Sequence, residues 1–281
     1  MKVKDTINYL IDKISDYYPH TETRNIAYLV LEHFGINKTD LVFKGENEVD
    51  PSIWAQIEHV GAELNKKKPV QYVLGIADFY GLKFRVSPGI LIPRSETEEL
   101  VDLVIKENKL GNQKIIDIGT GSGCISVCLA KFIPGSIVTA TDISEKCIET
   151  AKENAKNCGV NIDFLPDDLF DTQLNNKVKF DIMVSNPPYV TESEKIWMHG
   201  NVLDFEPGLA LFVPDNDPLI YYKKIAEVGK NILKPGGKIY VEINEKFGKA
   251  TEDLFSSFGY INVMKFMDLH NKDRIVKAIK I

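Results

Sequence analysis

From about residue 95 to its end the chain alternates short apolar runs with amphipathic stretches, and this alternation restricts it to few architectures. Strand-like runs fall at 114–118, 136–141, 161–165, 179–185, 237–243, 259–267 and 273–280. Helical stretches at about 122–132, 144–158, 217–233 and 246–257 separate most of them. They follow a first helix reaching Asn108, which Ser95 is expected to cap with support from Glu98 three residues on. Such alternation predicts an α/β unit with a mostly parallel seven-stranded sheet covered on both faces.

The period before this region is different. Ile7, Leu10, Ile11 and Ile14 form one stripe, Ile26, Leu29, Val30 and Phe34 a second, and Ile53, Ile57, Val60 and Leu64 a third. Spacings of three and four predict a small all-α domain over residues 1–74. Thr21 is a candidate start for the second helix and Gly35 its stop, while Asp50-Pro51 should open the third. Tyr9, Tyr17, Tyr28 and Trp54 read as packing residues, and Lys66-Lys67-Lys68 as a solvated helix end. Between 75 and 90 the run Phe79 to Val86 alternates around Gly81, which predicts a connecting β-hairpin. The remainder, 91–281, is the α/β domain.

Composition removes several classes. With 44% hydrophobic and 26% charged residues, the 281-residue chain is of ordinary globular type. No window approaches the roughly 20 apolar residues of a membrane span. The opening Met1-Lys2-Val3-Lys4-Asp5-Thr6 lacks the apolar core of a secretory signal, so a cytoplasmic location is expected. Lys and Arg number 34 against 40 Asp and Glu, and residues 1–74 hold nine basic and eleven acidic side chains, net −2. That balance does not suit a surface for gripping nucleic-acid phosphate, so no direct nucleic-acid partner is expected. Cys124, Cys128, Cys147 and Cys158 form no Cys-x-x-Cys pair, and His20, His33, His59, His199 and His270 are scattered. Neither a zinc site nor a disulfide framework is expected.

Lys114-Ile115-Ile116-Asp117-Ile118 runs into Gly119-Thr120-Gly121-Ser122-Gly123 and then into a helix. Glycines at a strand-to-helix junction let a ligand approach the backbone, at the sheet end where open α/β folds bind ligands. The dinucleotide fingerprint needs its third glycine one residue later, where Cys124 stands, which disfavours NAD. Asp142 closes the second strand, where a carboxylate can accept from both ribose hydroxyls; capping the following helix is the competing reading. Asp117 either reaches a ligand amino group or caps the turn.

After the fourth strand comes Asn186-Pro187-Pro188-Tyr189. Two prolines fix φ and supply no N–H, so the corner is rigid and offers acceptors only. The Asn186 side chain adds a carbonyl oxygen, and Tyr189 a flat face for stacking. Together they suit a planar –NH2 group, whose nitrogen gains electron density when both hydrogens are held by acceptors.

Asp117 to Gly123 with Asn186 to Tyr189 resembles a class I (Rossmann-like) S-adenosylmethionine-dependent methyltransferase acting on a planar nitrogen, a combination shared with adenine-N6 DNA methyltransferases. Pro69-Val70-Gln71-Tyr72-Val73-Leu74-Gly75, Ser87 to Arg94 with Glu96-Thr97-Glu98, Phe205-Glu206-Pro207 and the segment from Asp268 to Arg274 are similar to the PrmC/HemK family. The resemblance implies methyl transfer to the glutamine N5 of the Gly-Gly-Gln motif of peptide chain release factors, with S-adenosylhomocysteine as product. A ribosomal-protein glutamine shares every catalytic residue and stays an alternative. It further implies that Gly119, Thr120, Gly121, Ser122 and Gly123 cradle the cofactor's methionine part, Asp142 binds ribose, and Asp168 and Leu169 lie beside adenine. Leu169 stands where many relatives carry an aromatic residue. Asn186, Pro187, Pro188 and Tyr189 would hold the substrate amide, the helical domain would present the partner, and Arg94 with Glu98 would shape the active-site mouth or form a structural ion pair. The polar stretch from Thr191 to Gly200 reads as a mobile lid.

Overall fold

A computed structural model describes residues 1–15, 18, 20–174 and 178–281, with the side chains at 20 and 21 outside that description. Contacts divide the chain into two units, Met1–Ile76 with His199–Phe205, and Ala77–Met198 with Glu206–Ile281.

The first unit holds α1 (Val3–Ile14), α2 (His20–His33), α3 (Lys38–Phe43), α4 (Pro51–Leu64) and α5 (Val70–Leu74). Leu10, Ile14, Val30, Ile57 and Leu64, from the three stripes, form its fully buried centre together with Leu31, while Leu29 of the second stripe is exposed. Burying such side chains stabilises by about 1.5–3 kcal/mol each, which explains why short helices persist here. Asp50 Oδ1 accepts from the Ser52 N–H at 2.8 Å, and Pro51 sits in the first turn of α4. Gly35, at φ +77°, follows the end of α2. That helix begins at His20; the side chain of Thr21, its expected start, lies outside the described residues. A capping box between Asn37 and Asp40 opens α3, which hydrophobic spacing gave no sign of. Tyr9 meets Trp54 edge-on at 4.8 Å, and Lys66 pairs with Glu63 at the end of α4.

In the second unit β1 (Ile76–Phe79) and β2 (Leu82–Arg85) form the expected hairpin. Tyr80 and Gly81 both have positive φ, the backbone that a tight two-residue turn requires. The hairpin is part of a core rather than a bare connection. Phe79 and Phe84 are buried with Leu100 and Val127, and Arg85 exchanges hydrogen bonds of 2.7 and 3.1 Å with Asn154. The first helix, α6 (Ser95–Glu107), does not form the expected cap. Ser95 is already helical and binds Glu96, while Glu98 accepts the Tyr80 N–H at 2.7 Å, so the hairpin occupies the carboxylate a capping box would need.

The strands β3 (Lys114–Ile118), β4 (Ile137–Asp142), β5 (Asp163–Pro166) and β6 (Phe180–Ser185) follow, with α7 (Cys124–Phe132) and α8 (Glu145–Cys158) between the first three. A small parallel pair, β7 (Val190–Thr191) and β8 (Phe212–Val213), flanks α9 (Gly200–Phe205), which belongs to the first unit. Then come α10 (Ile220–Ile232), β9 (Leu233–Glu242), α11 (Gly248–Ser257), β10 (Tyr260–Met267) and β11 (Asp273–Lys280). The seven-stranded sheet has the order β10-β11-β9-β6-β3-β4-β5, antiparallel only where β11 meets its two neighbours. β9 starts four residues before its expected position. Phe180 pairs with Leu233 and Ile182 with Lys238, so Pro235-Gly236-Gly237 is accommodated as a bulge within the strand. Side chains alternate between two cores, Ile115 and Ile182 on one face, Ile116, Met183 and Ile239 on the other. Residues Glu192–Trp197 are wound into a 3₁₀ helix fixed by a Thr191–Glu194 capping box, with Asn244 also donating to Glu194. The expected lid stretch is thus a folded, tied segment.

Candidate active site

Sheet order reverses at the junction of β3 and β6, and the ends of β3, β4 and β6 open onto one cavity of about 380 Å³. Of the expected residues the cavity brings together Arg94, Gly119, Thr120, Gly121, Ser122, Asp142, Asp168, Leu169, Asn186, Pro187 and Pro188.

The glycine turn is anchored by two N–H groups, of Gly119 and Thr120, that both donate to the Thr141 carbonyl at 2.9 and 2.8 Å. Gly119 and Gly121 take positive φ, and a Cβ on either would meet nothing within 4 Å, so open space adjoins the backbone. Gly123 answers a different need. A Cβ there would stand 2.9 Å from the Ala151 methyl, so this glycine lets α7 approach α8 and lies off the cavity wall. Asp117 lies off it as well. It is fully buried, its Oδ2 accepts from the Thr120 hydroxyl at 2.6 Å, and its Oδ1 has no partner among the described residues. Burial pushes its carboxyl up to about 7. Of its two readings, the geometry fits the turn brace.

Asp142 Oδ2 accepts from the Gly121 N–H at 2.8 Å and Oδ1 from the Ser144 N–H at 2.9 Å. Burial raises its pKa against those bonds. The cap of α8 is Ser144, whose hydroxyl accepts from the Cys147 N–H. That leaves the carboxylate on the cavity wall with unused lone pairs. Asp168 turns the next segment by accepting the Phe170 N–H at 2.9 Å. Phe170 and Tyr221, absent from the expected set, meet edge-to-face at 5.1 Å and both line the cavity. Phe170 thus supplies, one residue on, the aromatic surface that Leu169 lacks.

On the opposite wall the Asn186 Nδ2 donates to Thr97 Oγ1 at 3.0 Å, and Thr97 donates to Glu242 Oε2 at 2.7 Å. The Tyr189 hydroxyl donates to Glu242 Oε1 at 2.9 Å, and its carbonyl accepts from Asn244 at 3.1 Å. Tyr189 packs against the core beside β9 and is off the cavity wall. The expected stacking face is therefore a brace for the corner: burial and the neighbouring Glu242 carboxylate hold its phenol well above the usual range. Arg94 pairs with Glu206 at 2.6 Å, not with Glu98, and donates to the Ile92 carbonyl at 3.0 Å. Glu206 also accepts the Ile92 N–H at 3.2 Å, so one buried carboxylate ties the 92–94 strand of wall to Pro207. Sequence spacing could not have given these roles to Thr97, Glu206, Tyr221 or Glu242, because these contacts span from 51 positions (Phe170 and Tyr221) to 145 positions (Thr97 and Glu242) of the chain.

Comparison with known proteins matches residues 5–75 to the PrmC N-terminal domain and 97–202 to the methyltransferase small domain. A release factor glutamine methyltransferase of Bacteroides thetaiotaomicron is 42% identical over 271 residues, 96% of this chain and 97% of its own. That of Flavobacterium psychrophilum is 42% identical over 283 residues, 99% of each chain. The chain belongs to the release factor glutamine methyltransferase family. A solved methyltransferase from Pyrococcus furiosus, 19% identical with a TM-score of 0.52 over 82% of this chain and 99% of that chain, has the same fold. The fold is thus the class I methyltransferase type, and the protein is an enzyme of that kind.

Membership implies S-adenosylmethionine as the methyl source, and the cavity fits it. Open space stands over Gly119 and Gly121, a carboxylate with free lone pairs ends β4, and Leu169, Phe170 and Tyr221 give an apolar surface for a flat base. Among the described residues no helix is long and apolar enough to cross a membrane.

Proposed function

We propose that the protein transfers a methyl group from S-adenosylmethionine to the N5 amide nitrogen of the glutamine in the Gly-Gly-Gln motif of peptide chain release factors. The observation that carries this reading is the Asn186-Pro187-Pro188 corner, whose prolines supply no N–H, on the same cavity as the glycine turn. Relatives named release factor glutamine methyltransferases, at 42% identity over nearly the whole chain, support the substrate.

Gly119 to Ser122 would hold the cofactor's methionine part, Asp142 its ribose hydroxyls, and Leu169 with Phe170 and Tyr221 its adenine. Bound there, S-adenosylmethionine supplies an electrophilic methyl on a positively charged sulfur and leaves as S-adenosylhomocysteine. Asn186 Oδ1 and one backbone carbonyl of the corner would take the two amide hydrogens, one of which leaves to water as a proton as the N–C bond forms and the S–C bond breaks. An amide nitrogen is a weak nucleophile because its lone pair is delocalised. Acceptors already in place stabilise the positive charge that develops as the nitrogen pyramidalises, without reorganising. Fixing that nitrogen in line with the methyl adds the advantage of proximity. Arg94 acts through Glu206 to hold the mouth, where Leu209 lines the cavity yet is 85% exposed, as a surface for a substrate loop should be. Residues 1–74 would present the release factor and 91–281 carry the chemistry, with the 75–90 hairpin serving the core of the second unit rather than acting as a free linker.

Purified protein incubated with methyl-labelled cofactor and, separately, a release factor, a ribosomal protein and DNA tests the reading. Label on the glutamine of Gly-Gly-Gln, located by peptide mass spectrometry, is expected. Label only on the ribosomal protein or on DNA overturns it.

A further inference from the structure

Asn186 can receive an amide hydrogen only if its side chain turns oxygen, not NH2, toward the substrate, and the shape of an amide does not distinguish its two ends. We propose that Thr97 and Glu242 are positioning residues that fix the Asn186 amide with Oδ1 as the end left free for the substrate. This rests on the reading above and adds to it a role for Thr97, which lies in a stretch quoted above without one, and for Glu242, which no local motif marks.

The direction follows from the order of donors. Glu242, at the end of β9, is fully buried, and a carboxylate offers acceptors only. Two hydroxyls reach it, Thr97 at 2.7 Å on Oε2 and Tyr189 at 2.9 Å on Oε1. Burial raises the Glu242 carboxyl; against it work these two hydroxyl bonds and the charge of Arg274, itself paired with Asp268 at 3.1 Å. Thr97 has one hydroxyl proton, and Glu242 takes it. Toward Asn186, Thr97 therefore presents lone pairs, and only the Nδ2 end can bond to it, as it does at 3.0 Å. Turned over, the amide would set oxygen against oxygen across that distance and lose the bond. Oδ1 has no partner among the described residues, while Asn186 and Thr97 both line the cavity. The carboxylate thus imposes a polarity that passes through one hydroxyl to one amide. Preorganised acceptors owe their effect to already being aimed before the reaction.

Three variants test this: Thr97→Val removes the hydroxyl at nearly constant shape, Thr97→Ser keeps it, and Glu242→Gln keeps the shape but can donate as well as accept. Steady-state kinetics with a release factor, calorimetry with S-adenosylmethionine, and solvent exchange of the Asn186 side-chain NH2 by NMR are read together. Thr97→Val should lower kcat about fivefold to tenfold, with KM for the release factor and cofactor affinity little changed. Its Asn186 NH2 protons should exchange faster. Thr97→Ser should restore both readouts, and Glu242→Gln should resemble Thr97→Val. Unchanged exchange and kcat in Thr97→Val overturn the proposal, as does Thr97→Ser being as impaired as Thr97→Val, which would make packing the cause. Should the wild-type enzyme fail to methylate a release factor, the substrate reading falls, and the exchange data alone decide whether the amide is held.

Discussion

The two walls of the cavity are built in opposite ways. The glycine wall is local. Residues 117–123 carry their own turn, fastened to Thr141 and Asp142 at the end of the neighbouring strand and to Asn154 on the helix that follows it, which donates to the Ser122 carbonyl at 2.8 Å. The Asn186 wall is assembled at long range, from Thr97 on α6, Glu242 on β9 and Asn244 just beyond it. A turn made of backbone needs only the right residues in sequence. An oriented side-chain amide needs partners that the fold must deliver, so its function is exposed to errors made far away.

This contrast can be broken where the effects should be largest. Asn186→Ala should lower kcat about a hundredfold, a loss of about 3 kcal/mol in the transition state, by analogy with removing one preorganised hydrogen-bonding group. Binding of S-adenosylmethionine, measured by calorimetry, should barely change. A normal turnover rate in this variant would remove Asn186 from the chemistry.

The opposite wall should show the reverse pattern. Asp142→Ala should weaken S-adenosylmethionine about tenfold, since the carboxylate both faces the cavity and holds the Gly121 N–H. At saturating cofactor, kcat should largely recover. Unaltered affinity would take the ribose contact away from this residue.

The smallest effect is on stability and depends on pH. Burial raises Asp117 from 3.8 to about 7, so folding favours its protonated form. Its contribution to stability is full below about pH 4 and is lost as pH rises through about 7. Asp117→Asn, which stays neutral and can still accept from Thr120, should therefore gain on the wild type between pH 5 and pH 8. Urea unfolding at both values reads the difference, and an equal gap at the two pH values would show that burial of the charge is not what matters.

Much of this molecule was legible before its structure. Alternating runs located all seven strands of the main sheet, since each buried strand needs an apolar run and most parallel connections a helix. The glycine turn and the Asn-Pro-Pro-Tyr corner were legible because their geometry is written into consecutive residues. Three assignments moved for physical reasons. Gly123 serves helix packing, Asp117 braces the turn, and Tyr189 faces Glu242 rather than the cavity. Each sits beside the site: Asp117 and Tyr189 turn their side chains to Thr120 and Glu242, and Gly123 makes room for Ala151. Ser95 and Glu98 failed as a capping box because the hairpin amide at Tyr80 competes for the same carboxylate. Phe170 was hidden one position from Leu169, where a shift of one residue within a short turn puts a ring in place of an aliphatic side chain.

The Arg94–Glu206 pair carries an evolutionary consequence. One acid serves a guanidinium and the Ile92 amide together, from a position 112 residues along the chain. Losing Arg94 strands Glu206 in a dry place, where an orphaned ion costs several kcal/mol, whereas Arg94 is 32% exposed and tolerates the loss of its partner better. The two positions should therefore drift as a couple, and a homologue that has lost the arginine should be found to have replaced the acid too.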